Sequence, residues 1–296
     1  PWGFGASGNP QAHTPNLDRL ASEGARLRNS FVTTPVCSPA RASLMTSRYA
    51  SEYGILDFIP DPKHKLYDPD KPIGLDPGSV TFAEILQESG YRTGLIGKWH
   101  LGDWTASGHR DYHPTNHGFK YFTGLTGGGS TPDNPLLEKE GTVRRFNGLT
   151  TDILTDDAIS FINEDHSKPF LLCLNYRAPH GRWLPVAEED WAPYADMVPV
   201  LPQPDYPDLD VELMKQKMRE YLASISGVDR NVGRLLQALA DSKLDASTVV
   251  IFTSDHGYNM GHNGIHHKGN GVWATKTLPE PTSNIASKYR PNLYDN

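Results

Sequence analysis

The sequence predicts an α/β fold with a mostly parallel central sheet flanked by helices, and three observations predict it. Helical patterns alternate along the chain with short apolar runs. Those runs are apolar on successive residues, as strands covered on both faces are. Ionisable residues follow directly after them, where open α/β sheets place their ligands.

The elements follow in order. Thr14 to Glu23 carries Leu17, Leu20 and Ala21 on one face, and Thr14-Pro15 supplies a cap and a first-turn proline. Thr81 to Ser89 repeats the pattern with Phe82, Ile85 and Leu86, and Gly90 is a natural stop. A strand fits Tyr91 to Ile96, a third helix Thr150 to Asn163, and a second strand Phe170 to Asn175. A long helix fits Val211 to Leu239 with a break near Gly227, and it feeds a strand over Thr248 to Thr253. Three long stretches, 58–77, 102–135 and 179–207, read as irregular and rich in Gly, Pro and His. Loops of that length in a compact domain build a site or are disordered. No repeat and no domain boundary interrupts the chain, so it reads as one domain over 1–296.

Lys and Arg total 28 against 35 Asp and Glu, a formal net charge of −7 over 296 residues. Such a chain offers no general field for nucleic acid or an anionic membrane. No apolar run approaches the roughly 18 to 20 residues that span a bilayer. The chain begins at Pro1 rather than Met, so a missing leader says nothing of location. Its two cysteines, Cys37 and Cys173, make no disulfide framework. Cys173, inside the apolar run Phe170 to Leu174, reads as a small core residue.

Three strand ends carry candidate chemistry. Gly97-Lys98-Trp99-His100 sets a fixed cation and an imidazole on one side of an extended chain, able to hold an anionic oxygen beside a general acid or base. A solvated lysine and a structural histidine fit equally well. His180, after Ala178-Pro179, is by itself an ordinary loop histidine. Asp255, just after Val249 to Phe252, is placed to ligate a hard divalent cation or to cap the next turn, whereas an imidazole such as that of His256 is commoner on Zn²⁺. Gly261 to Gly269 is a surface loop, a histidine metal tract or, through Lys268, an anion contact.

Val36-Cys37-Ser38-Pro39-Ala40-Arg41 is the decisive segment. Pro39 suits the first turn of a helix, so Cys37 stands at a helix N-terminus with Arg41 one turn on. A cysteine there is a candidate low-pKa nucleophile. A bare thiol is nevertheless ill-suited to attack a sulfate or phosphate ester.

Cys37-Ser38-Pro39-Ala40-Arg41 resembles the CxPxR motif of the type I, formylglycine-dependent sulfatases of the alkaline phosphatase-like superfamily. Gly90 to His100 resembles the second signature of that family. Thr14 to Leu20, Ala178-Pro179-His180, Ser254 to Gly257 and Lys268-Gly269 follow in family order. The resemblance implies a sulfuric ester hydrolase in which Cys37 is oxidised to formylglycine by a maturing enzyme. One hydroxyl of its hydrated gem-diol attacks sulfur with inversion and displaces the alcohol, and the second then loses a proton and expels sulfate, regenerating the aldehyde. It implies that Arg41 steadies the diol and that Lys98 and Lys268 contact sulfate oxygens. His100 orients or deprotonates the diol, and His180 protonates the leaving oxygen or binds sulfate. Asp255, His256 and the product of Cys37 become ligands of Ca²⁺, or of Mg²⁺.

The substrate so implied is a sulfated small molecule or, given the large loops bearing aromatics and histidines, a glycan. Trp99, Trp104, His109, His113 and Gly127 to Gly129 are expected to line its pocket. A periplasmic or secreted location is favoured. Three departures accompany the resemblance, the third being the C-terminal part expected beyond Asn296. Ser47 stands where the first signature closes with Gly, and the paired Asp ligands of the family precede Pro1. The chain therefore reads as a fragment of the catalytic N-terminal domain, its first strand and its C-terminal subdomain missing. Two other classes fit the same motifs: a phosphoesterase or phosphonate monoester hydrolase of the superfamily, and a non-catalytic binder of sulfated glycans.

Overall fold

The central sheet is built around one strand, β1 (Arg92–Lys98), with β2 (Tyr121–Leu125) and β5 (Phe170–Asn175) parallel to it on either side. In the computed structural model, which describes residues 3–62, 64–102, 104–105, 108–165, 167–268 and 271–277, β3 (Leu136–Lys139) and β4 (Thr142–Arg145) extend this sheet as an antiparallel hairpin. The strand order is β4-β3-β2-β1-β5. Pro1, Gly269 and the C-terminus at Asn296, all used in the reading above, lie outside the described residues.

Successive side chains of a strand point to opposite faces, so both faces of β1 need cover. Leu95 packs with Ala42, Met45, Leu75, Ala83, Trp99 and Phe119 on one side. Ile96 packs with Leu125, Leu137, Leu154, Ala158 and Phe161 on the other. Strand β5 repeats the alternation: Leu171 and Cys173 join the first cluster, Leu172 and Leu174 the second. Cys173 is thus partly buried and packs against the core, as its apolar neighbours predict, and both cysteines are free. Each fully buried aliphatic side chain contributes about 1.5–3 kcal/mol.

Helices α2 (Cys37–Thr46) and α3 (Phe82–Glu88) cover the first face, and α4 (Thr150–Glu164) the second. Thr81 and Glu84 close α3 with a capping box. Helix α1 (Pro15–Glu23) starts at the predicted place, but Thr14 does not cap it. Asp229 accepts the Leu17 and Asn16 amides at 2.7 and 3.2 Å, while Thr14 Oγ1 accepts from Gly5. A short α5 (Glu188–Trp191) lies within the third irregular stretch, and Asp229 belongs to α6 (Val211–Asp241). A small antiparallel sheet of β6 (Asn259–Met260), β7 (Ile265–His267) and β8 (Val272–Trp273) follows.

Three sequence expectations fail for identifiable reasons. Helix α6 runs 31 residues without the break expected near Gly227. That glycine is there for room: a Cβ on it would lie 3.1 Å from Asp190 Oδ2, and Asp190 is paired with Arg230 at 2.9 Å. Second, β2 lies inside the 102–135 stretch read as irregular. Third, Thr248–Thr253 is not a strand. It pairs with no described strand, β5 is the edge of the sheet, and Val249 and Ile251 are 85% and 81% exposed. Apolar periodicity specifies a strand only where a neighbour supplies the hydrogen bonds.

One glycine sets the spacing of the strands at the site. Gly97 has φ +107, and a Cβ on it would lie 2.0 Å from the Asn175 carbonyl of β5. Gly97→Ala is expected to lower stability by about 3 kcal/mol or more. Chemical denaturation checks this, and an unchanged midpoint would contradict the close approach.

Candidate active site

The first residue of α2 is Cys37, behind an extended Val36, and no side chain caps this end. Its amides are left to favour negative charge. The cysteine is 3% exposed. Lys268 Nζ donates to its Sγ at 3.1 Å. Burial alone would push the thiol up. The His100 and His256 imidazoles and the Lys98 ammonium outweigh it and hold the thiol far below its ordinary value.

Arg41, one turn into α2, reaches two elements. Its Nε donates to Asp255 Oδ2 at 3.1 Å and its Nη1 to the Lys98 carbonyl at 2.8 Å. Asn175 Nδ2, at the end of β5, donates to that same carbonyl at 3.0 Å. The Lys98 carbonyl thus accepts from two donors, and Asn175 is a part of the site that the sequence reading missed. Its only signal is a polar residue closing an apolar strand.

Lys98 itself, the last residue of β1, is buried. Burial, with Arg41 and Lys268 nearby, pulls its ammonium down to about 8, although the Cys37 sulfur and Asp255 support the charge. Asp255 is held below the usual carboxylate range by Arg41, His256 and Lys98, against its own burial. Three cations, Arg41, Lys98 and Lys268, therefore converge on one helix N-terminus. This is the electrostatics of an anion site.

Two histidines complete the group. His100 Nε2 donates to the Ile59 carbonyl at 2.8 Å, and Ile59 is held in turn by its amide on Ser38 Oγ at 3.0 Å. That bond assigns the proton to Nε2 and leaves Nδ1 as the base. Nδ1 is buried with no partner at hydrogen-bond geometry, yet the Cys37 sulfur is near enough to work against burial in raising the ring's basicity. His180 lies in the turn after β5, its amide on the Arg177 carbonyl at 2.9 Å. Burial, with Lys268 and Lys98, pushes it down to about 3, so the ring is neutral near pH 7.

Cys37, Arg41, Lys98, His100, His180, Asp255, His256 and Lys268 thus come from five separated stretches and share one electrostatic neighbourhood. The expected pocket lining fares less well. Trp99 and Trp104 are buried, with their indole N–H groups on the Tyr112 carbonyl and Glu138. His113 sits beneath the loops on Glu138 Oε1 at 3.1 Å. Its aromatic neighbours Trp104 and Phe122 make this a core layer, not a wall. His109 lies at the surface, 3.9 Å from Asp111. Gly128 does reach the site: a Cβ on it would meet the His100 ring at 2.4 Å.

A Ca²⁺ ion takes six to eight oxygens. Asp255 commits one oxygen to Arg41 and the other to the His256 amide. His256 Nδ1 contacts the Gly257 carbonyl at 2.9 Å. No group of three or more His, Cys, Asp or Glu among the described residues could hold a metal. The predicted trio of Asp255, His256 and Cys37 does not make a metal centre by itself.

The sulfatase family model matches residues 1–278. The chain belongs to the sulfatase family. It is 26% identical to the N-acetylglucosamine-6-O-sulfatase of Bacteroides thetaiotaomicron, over 86% of this chain and 55% of that protein. It is 29% identical to the N-acetylgalactosamine-6-sulfatase of Mus musculus, over 86% and 48%. The solved structure of BT4656 in complex with its substrate D-glucosamine-2-N,6-O-disulfate superposes with a TM-score of 0.73 at 24% identity, covering 89% of this chain and 64% of that one. This likeness shows the shared fold of the sulfatases. The chain spans about half the length of the curated relatives it matches.

Proposed function

We propose that the protein hydrolyses sulfate esters of carbohydrates, with the oxidation product of Cys37 as nucleophile. The observation that carries this reading is the convergence of Arg41, Lys98 and Lys268 on a buried cysteine at an uncapped helix N-terminus. The relatives named for sulfated amino sugars point to the same substrate class. A formylglycine at position 37, made by a sulfatase-maturing enzyme, would supply a hydrated aldehyde: one hydroxyl attacks sulfur and displaces the sugar oxygen, and loss of the other hydroxyl's proton expels sulfate and restores the aldehyde.

The chain's own residues do the rest. His100 Nδ1 takes the proton of the attacking hydroxyl. Lys98 and Lys268 pair with sulfate oxygens as charge shifts onto the leaving oxygen. Arg41 and Asn175 fix the Lys98 backbone so that its ammonium cannot drift. A substrate anion between the lysines counteracts the suppression of His180, which then protonates the departing sugar oxygen. A divalent cation, Ca²⁺ or Mg²⁺, would add charge neutralisation at the sulfate. Asp255 and His256 are its candidate ligands, and they need further oxygens to hold it.

The test is mass spectrometry of the Cys37 peptide from full-length protein made with the maturing enzyme, followed by rates on matched sugar sulfate and phosphate esters. Formylglycine with preferential sulfate turnover is expected. An unmodified thiol in active protein, or a preference for phosphate, overturns the proposal.

A pH dependence follows from Lys98. Its ammonium, brought down to about 8, loses its proton as pH rises. The value of kcat/KM, which reports the free enzyme, is therefore expected to fall about tenfold per unit on the alkaline side, from no higher than about pH 8, because the matured residue 37 no longer offers the sulfur that supports the Lys98 charge. Lys98→Arg, which cannot deprotonate, is expected to remove that limb. A limb persisting in Lys98→Arg assigns it to another group.

A further inference from the structure

We propose that Arg177 is a positioning residue that holds the leaving-group side of the site and acts through His180. This rests on the sulfatase reading above.

Arg177 follows β5 by two residues and is buried. Among the described residues its guanidinium bonds to backbone carbonyls: Nε to Ser130 at 2.7 Å, Nη1 to Arg182 at 2.7 Å, and Nη2 to Gly181. Among the described residues no carboxylate pairs with it. Asp190 and Asp152, in the neighbouring cavity, are taken up by Arg230. A buried guanidinium without a counter-ion is costly. Merely filling this space would need no charge. What a planar five-donor fork provides is simultaneous bonding in fixed directions.

The carbonyls it gathers belong to the two walls of the site. Gly181 and Arg182 form the turn directly after His180, and Arg182 is held at φ +49, a left-handed conformation that a side chain resists. Ser130 ends the glycine run whose Gly128 lies against His100. The His180 amide closes the turn on the carbonyl of Arg177 itself. Arg177 thus joins the loop over the base to the turn carrying the acid. It touches neither Cys37 nor the lysines in any described bond. Its loss should release His180 while leaving the sulfate-binding half on α2 and β1 in place.

The experiment uses full-length, formylglycine-bearing protein with Arg177→Met, Arg177→Lys, His180→Ala and the Arg177→Met/His180→Ala pair. Each is assayed on a sugar O-sulfate and on 4-nitrophenyl sulfate, whose phenolate needs little help from an acid. Loss of a general acid costs on the order of 10²-fold or more on the sugar ester. Arg177→Met is expected to lower kcat on that ester by at least about a third of this on a logarithmic scale, and far less on the aryl ester. Arg177→Lys should fall between. The double variant should be little worse than His180→Ala, because one residue acts through the other. Multiplying losses, or equal losses on both esters, overturn the proposal. If Arg177→Met does not fold, the ester ratio of Arg177→Lys decides. An inactive wild type counts against the sulfatase reading, whereas an active wild type with indifferent Arg177 variants counts against this inference alone.

Discussion

Cys37→Ala is expected to reduce turnover by roughly 10⁴-fold or more while leaving the fold intact, because it deletes the nucleophile without touching the sheet. The side chain is small, and its helix keeps the packing of Ala42 and Met45. Affinity should suffer far less than rate. Lys98, Lys268 and His180 remain to hold a sulfate, so inhibition by inorganic sulfate is expected to stay within about tenfold of the wild type. Measuring kcat and the sulfate inhibition constant on one preparation separates a lost nucleophile from a lost binding site. Turnover surviving in Cys37→Ala would show that the cationic cluster activates something other than residue 37. Loss of sulfate inhibition together with turnover would instead place Cys37 within the binding determinants.

Why this residue was legible and others were not has a physical answer. Cys37 and Arg41 lie one helical turn apart behind a proline, so local sequence places both on one helix end. Lys98 and His100 lie at the end of a strand whose two-sided burial is written in its composition. Strands β1 and β5 could be read because each carries its own apolar run, whereas β2, between them and the hairpin, was passed over inside a stretch read as irregular. The continuity of α6 could not, because the cost of a mid-helix glycine, about 1 kcal/mol, is offset by a tertiary need for space beside Asp190. The failure at Thr248–Thr253 is of the opposite kind. Its Val and Ile residues are suited to a strand, but pairing is a property of two segments, not of one. Trp99, Trp104 and His113 misled because residue type does not say which way a side chain faces. Asn175 gave no signal, and Arg177 lay in the strand end that includes His180 without a role, since both act on backbone carbonyls, which no motif records.

Arg41→Met carries the second large expectation, and it joins stability to catalysis. The guanidinium links Asp255 to the Lys98 carbonyl from within α2, with its side chain 9% and that of Asp255 21% exposed. Removing one partner of such a pair leaves a carboxylate largely out of water, at a cost of about 3–5 kcal/mol. For a chain of this size that corresponds to a fall in Tm of roughly 6 to 20 °C. The Lys98 carbonyl keeps its bond from Asn175, so the strand end should loosen rather than detach. Activity is expected to fall by more than about 10²-fold, as the Lys98 ammonium loses its fixed position. Acid stability supplies an independent measure. Asp255 has its folded pKa depressed, with Arg41 the foremost cause working against burial. Its contribution is therefore present above the unfolded carboxylate value and is lost as pH falls through the lower folded one. Without Arg41 that folded value rises, so acid unfolding should begin at higher pH in the variant. Pairing Arg41→Met with Asp255→Asn should recover part of the stability but none of the activity, because the stranded charge is gone while the lysine remains unheld. An unchanged Tm with an unchanged acid midpoint would mean that the Arg41–Asp255 pair is incidental to the site.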